Sequence, residues 1–187
     1  MKIQKFAVIG TSCSGKTTLV YNVVGQMRKQ GYHIEGLTST DRIYPFEKDK
    51  LDIMNEAQAY VVIQQAHLET RMLVRDDLDY ILSDRSTVDF FAYQDFFMKD
   101  KKDPYYTSME EFAFNWAKTY DKLFYLGPLP WVNDNKRPDD ETRLEIDNVI
   151  KSYLPKLNNL IIVPNDVNRE NFIIDAIKQT QSNALPF

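Results

Sequence analysis

Residues 5–18 read Lys5-Phe6-Ala7-Val8-Ile9-Gly10-Thr11-Ser12-Cys13-Ser14-Gly15-Lys16-Thr17-Thr18. A short apolar run that reads as a strand stops at Gly10, and a helical pattern opens at Lys16 and runs to residue 29. Between them, Gly10 to Thr17 fits Gly-x-x-x-x-Gly-Lys-[Ser/Thr] at each defined position. A strand before and a helix after is the setting in which that pattern forms a phosphate-binding P-loop. The residue types follow from the task. Gly10 and Gly15 let the backbone curl so that successive N–H groups face inward. The helix behind the loop turns its positive end toward the bound anion. Lys16 is expected to reach the β- and γ-phosphates of ATP, and Thr17 to place its hydroxyl on Mg2+. Ser12, Cys13, Ser14 and Thr18 are expected to complete the cradle. Cys13 enters it only through its N–H, since the chain has a single cysteine and a redox switch needs a resolving partner.

Outward from this loop, short apolar runs alternate with longer amphipathic stretches, the pattern of repeated β-α units around a parallel sheet. Strands are predicted at 5–9, 34–39, 80–83, 122–126 and 160–163. Helices are predicted at 16–29, 51–75, 88–97, 109–119, 141–154 and 169–179. The polar stretches 99–104 and 131–140 read as loops. A length of 187 residues suits one compact α/β domain over the whole chain better than two.

Bulk properties remove several classes. A net charge of -4 argues against a protein that coats nucleic acid or an anionic membrane, while leaving room for a local basic cleft. No run of about 18 apolar residues exists to span a bilayer, and the N-terminal residues read as a strand entry, not a signal peptide. One cysteine forbids an intrachain disulfide, which suits a reducing cytoplasm. One cysteine and two histidines also fall short of a structural zinc site.

In an open α/β sheet, ligands sit at the carboxyl ends of the strands. Asp84-Arg85-Ser86 closes the third predicted strand and Asp41-Arg42 the second. Two carboxylates and two arginines are thereby directed to the crevice that holds the phosphates. A carboxylate there can support Mg2+ or take a proton from an attacking hydroxyl, and an arginine can stabilise charge on the transferred group. Tyr44, Phe46 and Trp131 fall on loops near strand ends and offer stacking faces for a ring. The aromatics of 90–97 recur at helical spacing and read as core, and Asp89 reads as a brace for its helix. Gln65 and Glu69 read as a solvated helix face. The chain lacks the Asn-Lys-x-Asp guanine motif of GTPases and the strand-end Asp-Glu pair of larger ATPases.

These stretches resemble a known family. Gly10 to Thr17, Asp84-Arg85-Ser86-Thr87-Val88-Asp89 with Ala92-Tyr93, and Pro130-Trp131-Val132 followed by Asp134-Asn135-Lys136-Arg137 are similar to small P-loop nucleoside and nucleotide kinases. The nearest resemblance is to the ribosylnicotinamide kinase domain of the bifunctional NAD-biosynthesis regulator and the AAA-type ATPases grouped with it. It spans most of the chain. It implies a five-stranded parallel sheet in the order 2-3-1-4-5, flanked by helices, with an arginine-bearing lid at about 131–145. Arg137 is the first lid candidate, followed by Arg143 and Lys136. The resemblance further implies that Asn165, Asp166 and Val167 border the adenine, that Asp84 supports Mg2+, that Arg85 contacts the acceptor, and that Tyr93 lies near the acceptor pocket. Asp41 is the candidate base. The family often carries Glu or an Asp-Asp pair where this chain has Ser39-Thr40-Asp41-Arg42, which leaves the base open between Asp41 and Asp84.

The expected activity is ATP- and Mg2+-dependent phosphoryl transfer to a nucleoside-like small molecule. A nucleoside monophosphate acceptor is the second reading, since Arg42, Arg71, Arg75 and Arg85 could receive its phosphate. A nucleic-acid hydroxyl and a regulatory nucleotide switch without an acceptor are the third and fourth.

Overall fold

The computed structural model describes residues 2–38, 54–98, 101–132 and 139–182. Five parallel strands, β1 (Gln4–Ile9), β2 (Ile34–Leu37), β3 (Tyr80–Asp84), β4 (Lys122–Leu126) and β5 (Leu160–Val163), form one sheet in the order β2-β3-β1-β4-β5. This is the expected order. Among the described residues, six α-helices connect and cover it: α1 (Lys16–Lys29), α2 (Met54–Leu73), α3 (Thr87–Phe97), α4 (Pro104–Ala117), α5 (Asp140–Tyr153) and α6 (Arg169–Ser182).

The alternation of side chains along β1 builds both cores. Phe6 and Val8 face a layer made by α1 (Leu19, Val23, Met27) and α6 (Ile173, Ile177), while Ala7 and Ile9 face the layer of α2, α3, α4 and α5. Strands covered on both faces read as continuous apolar runs, which is why their positions were legible. Helix α3 is apolar nearly all round because α2, α4 and α5 all pack on it. Its start is fixed by a reciprocal cap: Ser86 Oγ accepts from Val88 N–H, and Asp89 Oδ1 accepts from Ser86 N–H at 2.6 Å. Asp89 is thus the brace expected of it.

Two of the boundaries that differ from expectation have a clear local cause. Helix α4 begins five residues before residue 109, because Asp103 caps it and Pro104 occupies its first turn; the polar look of that stretch hid a start signal. Helix α2 ends at Leu73, and Arg75 turns away to pair with Asp77 and Glu35.

A larger difference concerns Gln65 and Glu69. They do not form a solvated face. Glu69 is 0% exposed and takes hydrogen bonds from Lys5 Nζ (2.9 Å), Trp116 Nε1 (2.8 Å), Tyr120 Oη (2.5 Å), Gln65 Nε2 (2.7 Å) and Ser83 Oγ (3.3 Å). Lys5 is itself 2% exposed and also lies over the rings of Trp116 and Tyr120. Burial lowers the pKa of the Lys5 ammonium, and the attraction of Glu69 opposes that shift. A buried cation on β1 requires a buried anion opposite it, and α2 supplies the anion.

Candidate functional site

The order of the sheet reverses after β3, when the chain crosses to β4 on the far side of β1. That reversal opens the crevice at the carboxyl ends of β1, β3 and β4. The loop that leaves β1 there carries three left-handed residues: Gly10 (φ 146°), Cys13 (φ 54°) and Gly15 (φ 84°). Gly10 is also sterically obligatory, since a Cβ on it would lie 2.5 Å from the carbonyl oxygen of Leu126 on β4. Gly10→Ala is therefore expected to destabilise the protein by about 1–3 kcal/mol, read as a lower urea midpoint. An unchanged midpoint would show that the loop can relax away from β4.

Three of the loop's carbonyls are held by hydrogen bonds. Ser14 Oγ donates to Thr11 O at 2.9 Å, Leu129 N–H donates to Cys13 O at 2.9 Å, and Arg169 Nη1 donates to Ser14 O at 3.1 Å. A loop whose carbonyls are held in this way is suited to offer its amides to an anion. Lys16 is 6% exposed, with Nζ 2.6 Å from Thr11 O and 3.1 Å from Ser14 Oγ. Burial and then the neighbouring Arg85 hold its ammonium below its ordinary pKa, against the pull of Tyr93, Asp89 and Asp84. Those two hydrogen-bond partners are neutral, and a phosphate would supply the missing negative charge.

Beside Lys16, Thr17 Oγ1 donates to Asp84 Oδ2 at 2.5 Å. Asp84 is buried and lies in register with Val8 of β1. The pair lines a cleft with Val20, Tyr21, Gly36, Leu37 and Thr38, so it opens toward the end of β2. Among the described residues no group of three or more His, Cys, Asp or Glu could hold a metal ion by protein ligands alone. One hydroxyl and one carboxylate are nevertheless the donor set Mg2+ accepts in phosphate sites, where phosphates and waters provide the rest. The residues present fit the ion.

Arg85 is held in the left-handed region (φ 86°), a conformation rare for a residue with a side chain. Its N–H donates to Val8 O at 3.0 Å, its carbonyl accepts from Gln65 Nε2 at 3.3 Å, and its Nη1 lies 3.3 Å from Asp89 Oδ2. The guanidinium stacks over Phe90 (5.4 Å) and Tyr93 (5.0 Å). The Glu69 cluster thus reaches the site through Ser83 and Gln65, on either side of Asp84. Burial raises the pKa of Asp89, and Arg85 and Lys16 oppose it. Tyr93 reaches the phosphate loop itself: its hydroxyl accepts from Ser12 N–H at 3.1 Å and lies 3.5 Å from Thr11 Oγ1.

The other expected residues fall in four groups. Trp131 is half-buried between Leu129, bonded to Cys13, and Val132, whose carbonyl lies 3.9 Å from Cys13 Sγ, so it belongs to the segment beside the P-loop. Asn165, Asp166 and Val167 are exposed between β5 and α6, where Asn165 borders Gly127 and accepts from Arg169 Nη2. Thr18 is exposed in the first turn of α1. Asp41, Arg42, Tyr44, Phe46, Lys136 and Arg137 lie outside the described residues.

Arg143 needs correction as a lid candidate. It is buried, with Nη1 on Leu129 O at 2.8 Å and Nη2 on Asp140. It struts the base of the segment between β4 and α5.

Sequence reading missed Arg169 and the Glu69 cluster. Arg169 left no local sign. Lys5 did leave one: it alternates with Ala7 and Ile9 and therefore shares their buried face.

A model of the family described as an AAA domain matches residues 5–171. No curated protein sequence matches the chain. Solved structures similar to it include NadR protein in complex with NR (TM-score 0.76, 16% identity, covering 96% of this chain and 52% of that one). NadR protein in complex with NAD and AMP-PNP is another (TM-score 0.72, 16% identity, covering 99% and 51%). The chain spans about half the length of these structures, and the likeness is one of fold.

Proposed function

The chain belongs to the AAA domain family, a P-loop fold for nucleotides, and from that premise we propose that it is an ATP- and Mg2+-dependent kinase of a nucleoside-like small molecule. The observation that carries the reading is the convergence of Lys16, the Thr17–Asp84 pair and Arg85 on one crevice at the ends of β1 and β3. A module that only binds nucleotide has no need of a buried arginine held at φ 86° beside the phosphate loop.

In this reading ATP lies on the P-loop, with Lys16 on its outer phosphates and the amides at the start of α1 on its inner ones. Thr17 and Asp84 would hold Mg2+, which when bound neutralises charge on the phosphates. Arg85 stabilises charge on the transferred group, and its contact with Asp89 keeps it aimed. The acceptor's 5'-hydroxyl attacks in line. Asp84 is already paired with Thr17 on the metal side, so we assign the role of base to Asp41. Tyr44, Phe46 and Tyr93 are assigned to the acceptor, as is Arg42, and Trp131 borders both substrates. Asn165, Asp166 and Val167 border the adenine. Of the expected lid at about 131–145, the part before α5 is assigned as the lid, carrying Arg137, which excludes water on closing.

A nucleoside acceptor is favoured over a nucleoside monophosphate by Arg75. That residue pairs with Asp77 and Glu35, toward the end of β2 and β3 where those strands begin, away from the crevice. NadR, of the same fold, is described in complex with NR, which points to the same class of acceptor. The test is ADP release from ATP by the purified protein across a panel of nucleosides, ribosylnicotinamide and nucleoside monophosphates. At least one nucleoside is expected to raise turnover by about a hundredfold or more over ATP alone. Slow turnover unchanged by every acceptor would replace the kinase with a nucleotide switch.

A further inference from the structure

We propose that the Tyr93 phenol oxygen occupies the seat of a γ-phosphate oxygen and yields it when a nucleoside triphosphate binds, so that Tyr93 distinguishes triphosphate from diphosphate. The inference rests on the reading of the P-loop as a nucleotide donor site. Its basis is the set of groups that surround one oxygen atom. Tyr93 Oη accepts from the backbone N–H of Ser12 at 3.1 Å and stands 3.5 Å from Thr11 Oγ1. The Arg85 guanidinium lies 5.0 Å from the centre of the Tyr93 ring. A loop amide and an arginine are donors of the kind that hold a phosphate oxygen, while the Thr11 hydroxyl donates its own proton to Arg143 O at 3.1 Å and accepts from the phenol.

The field at that position supports the same conclusion. Burial pushes the Tyr93 hydroxyl up, yet Arg85 and Lys16 outweigh it and hold the phenol below its ordinary pKa. The seat therefore favours negative charge at oxygen. Ser12 adds a further sign: its Oγ is buried and, among the described residues, has no hydrogen-bond partner. A phosphate oxygen arriving where the phenol now lies could engage both the amide and the hydroxyl of that residue. The phosphate concerned is the outermost one. Amides at the start of α1 take the inner phosphates, whereas Tyr93 stands with Lys16 and Arg85, on the side from which the acceptor approaches.

The displacement is confined to the side chain. Helix α3 is capped at Ser86–Asp89 and packed by α2, α4 and α5, so the phenol moves by rotating its own bonds. A diphosphate leaves the seat to Tyr93; a triphosphate must displace it.

The experiment is calorimetric titration of the wild-type protein and Tyr93→Phe with AMP-PNP and with ADP, both with Mg2+. Phenylalanine keeps the ring on Arg85 and removes only the competing oxygen. AMP-PNP is expected to bind Tyr93→Phe about 3–10-fold more tightly than wild type, the worth of one hydrogen bond, while ADP changes by less than about twofold. Weaker or unchanged AMP-PNP binding, or an equal gain for both nucleotides, overturns the assignment. Wild-type protein labelled with 3-fluorotyrosine gives a check independent of the variant's folding. The resonance missing from Tyr93→Phe, or from Tyr93→Leu if the first variant is unstable, should shift with AMP-PNP and stay with ADP; a shift with both or neither overturns it. If wild type binds neither nucleotide, the donor-site reading falls, and this assignment with it. If it binds both and the ratio does not change in the variant, only the role of Tyr93 falls.

Discussion

Lys16→Ala is expected to lower phosphoryl transfer by about a hundred- to a thousandfold or more and to leave the protein folded. Both halves follow from the surroundings of Nζ. The ammonium is buried, its hydrogen bonds go to Thr11 O and Ser14 Oγ, and burial together with Arg85 disfavours its charge. Without nucleotide it is a strained cation, so its removal relieves desolvation and repulsion at the expense of two hydrogen bonds to neutral groups. With nucleotide it faces the outer phosphates and their developing charge, where a preorganised cation is worth most. Turnover of ATP with the acceptor and a urea denaturation curve measure the two halves. Transfer retained by a purified, folded Lys16→Ala protein would remove the P-loop from the reaction.

Glu69→Ala should have the opposite profile, a fold effect first and a site effect through it. One carboxylate accepts from Lys5, Trp116, Tyr120, Gln65 and Ser83, with Lys5 and Glu69 both out of solvent. Removing it leaves Lys5 as an uncompensated buried charge, a loss of about 3–5 kcal/mol, which is a large fraction of the stability of an ordinary domain. The diagnostic variant is the pair Lys5→Met with Glu69→Leu. Replacing both charges by apolar groups should recover the part of the loss due to the bare Lys5 charge, but not the part due to Trp116, Tyr120, Gln65 and Ser83, whose donors lose their acceptor. Urea midpoints for the two singles and the double close the cycle. A Glu69→Ala loss below about 1 kcal/mol would show that Lys5 finds another partner or is neutral. Because Ser83, next to Asp84, donates to Glu69, and Gln65 donates both to Glu69 and to the Arg85 carbonyl, the apolar double variant should also position Asp84 and Arg85 less well.

The residues differ in how far they could be read without coordinates. Gly10, Gly15, Lys16 and Thr17 were legible as one loop because that loop is a turn of a few residues and the helix it feeds. Asp84 and Arg85 were legible as crevice residues because a strand's end in a parallel sheet is a position, whatever its neighbours. Asp89 was legible as a brace because a cap is local. Glu69 was not, since a glutamate at helical spacing looks the same whether water or a lysine faces it. Arg143 was misread for a related reason: an arginine after a polar loop suggests a lid, and only the packing of α5 under Leu129 puts its guanidinium beneath the segment.

By itself, then, the sequence determined the phosphate loop, the alternation of strands and helices and, through the family resemblance, the order of the sheet. Periodicity and turn chemistry depend on residues within one or two turns of each other, and such contacts are written in local order. The tertiary structure alone decided what each polar side chain meets. Lys5 meets Glu69 across 64 residues and Tyr93 meets Ser12 across 81. Such pairs are set by how α2 and α3 pack onto β1, and the free energy of a buried charge or hydroxyl depends on the partner that packing delivers.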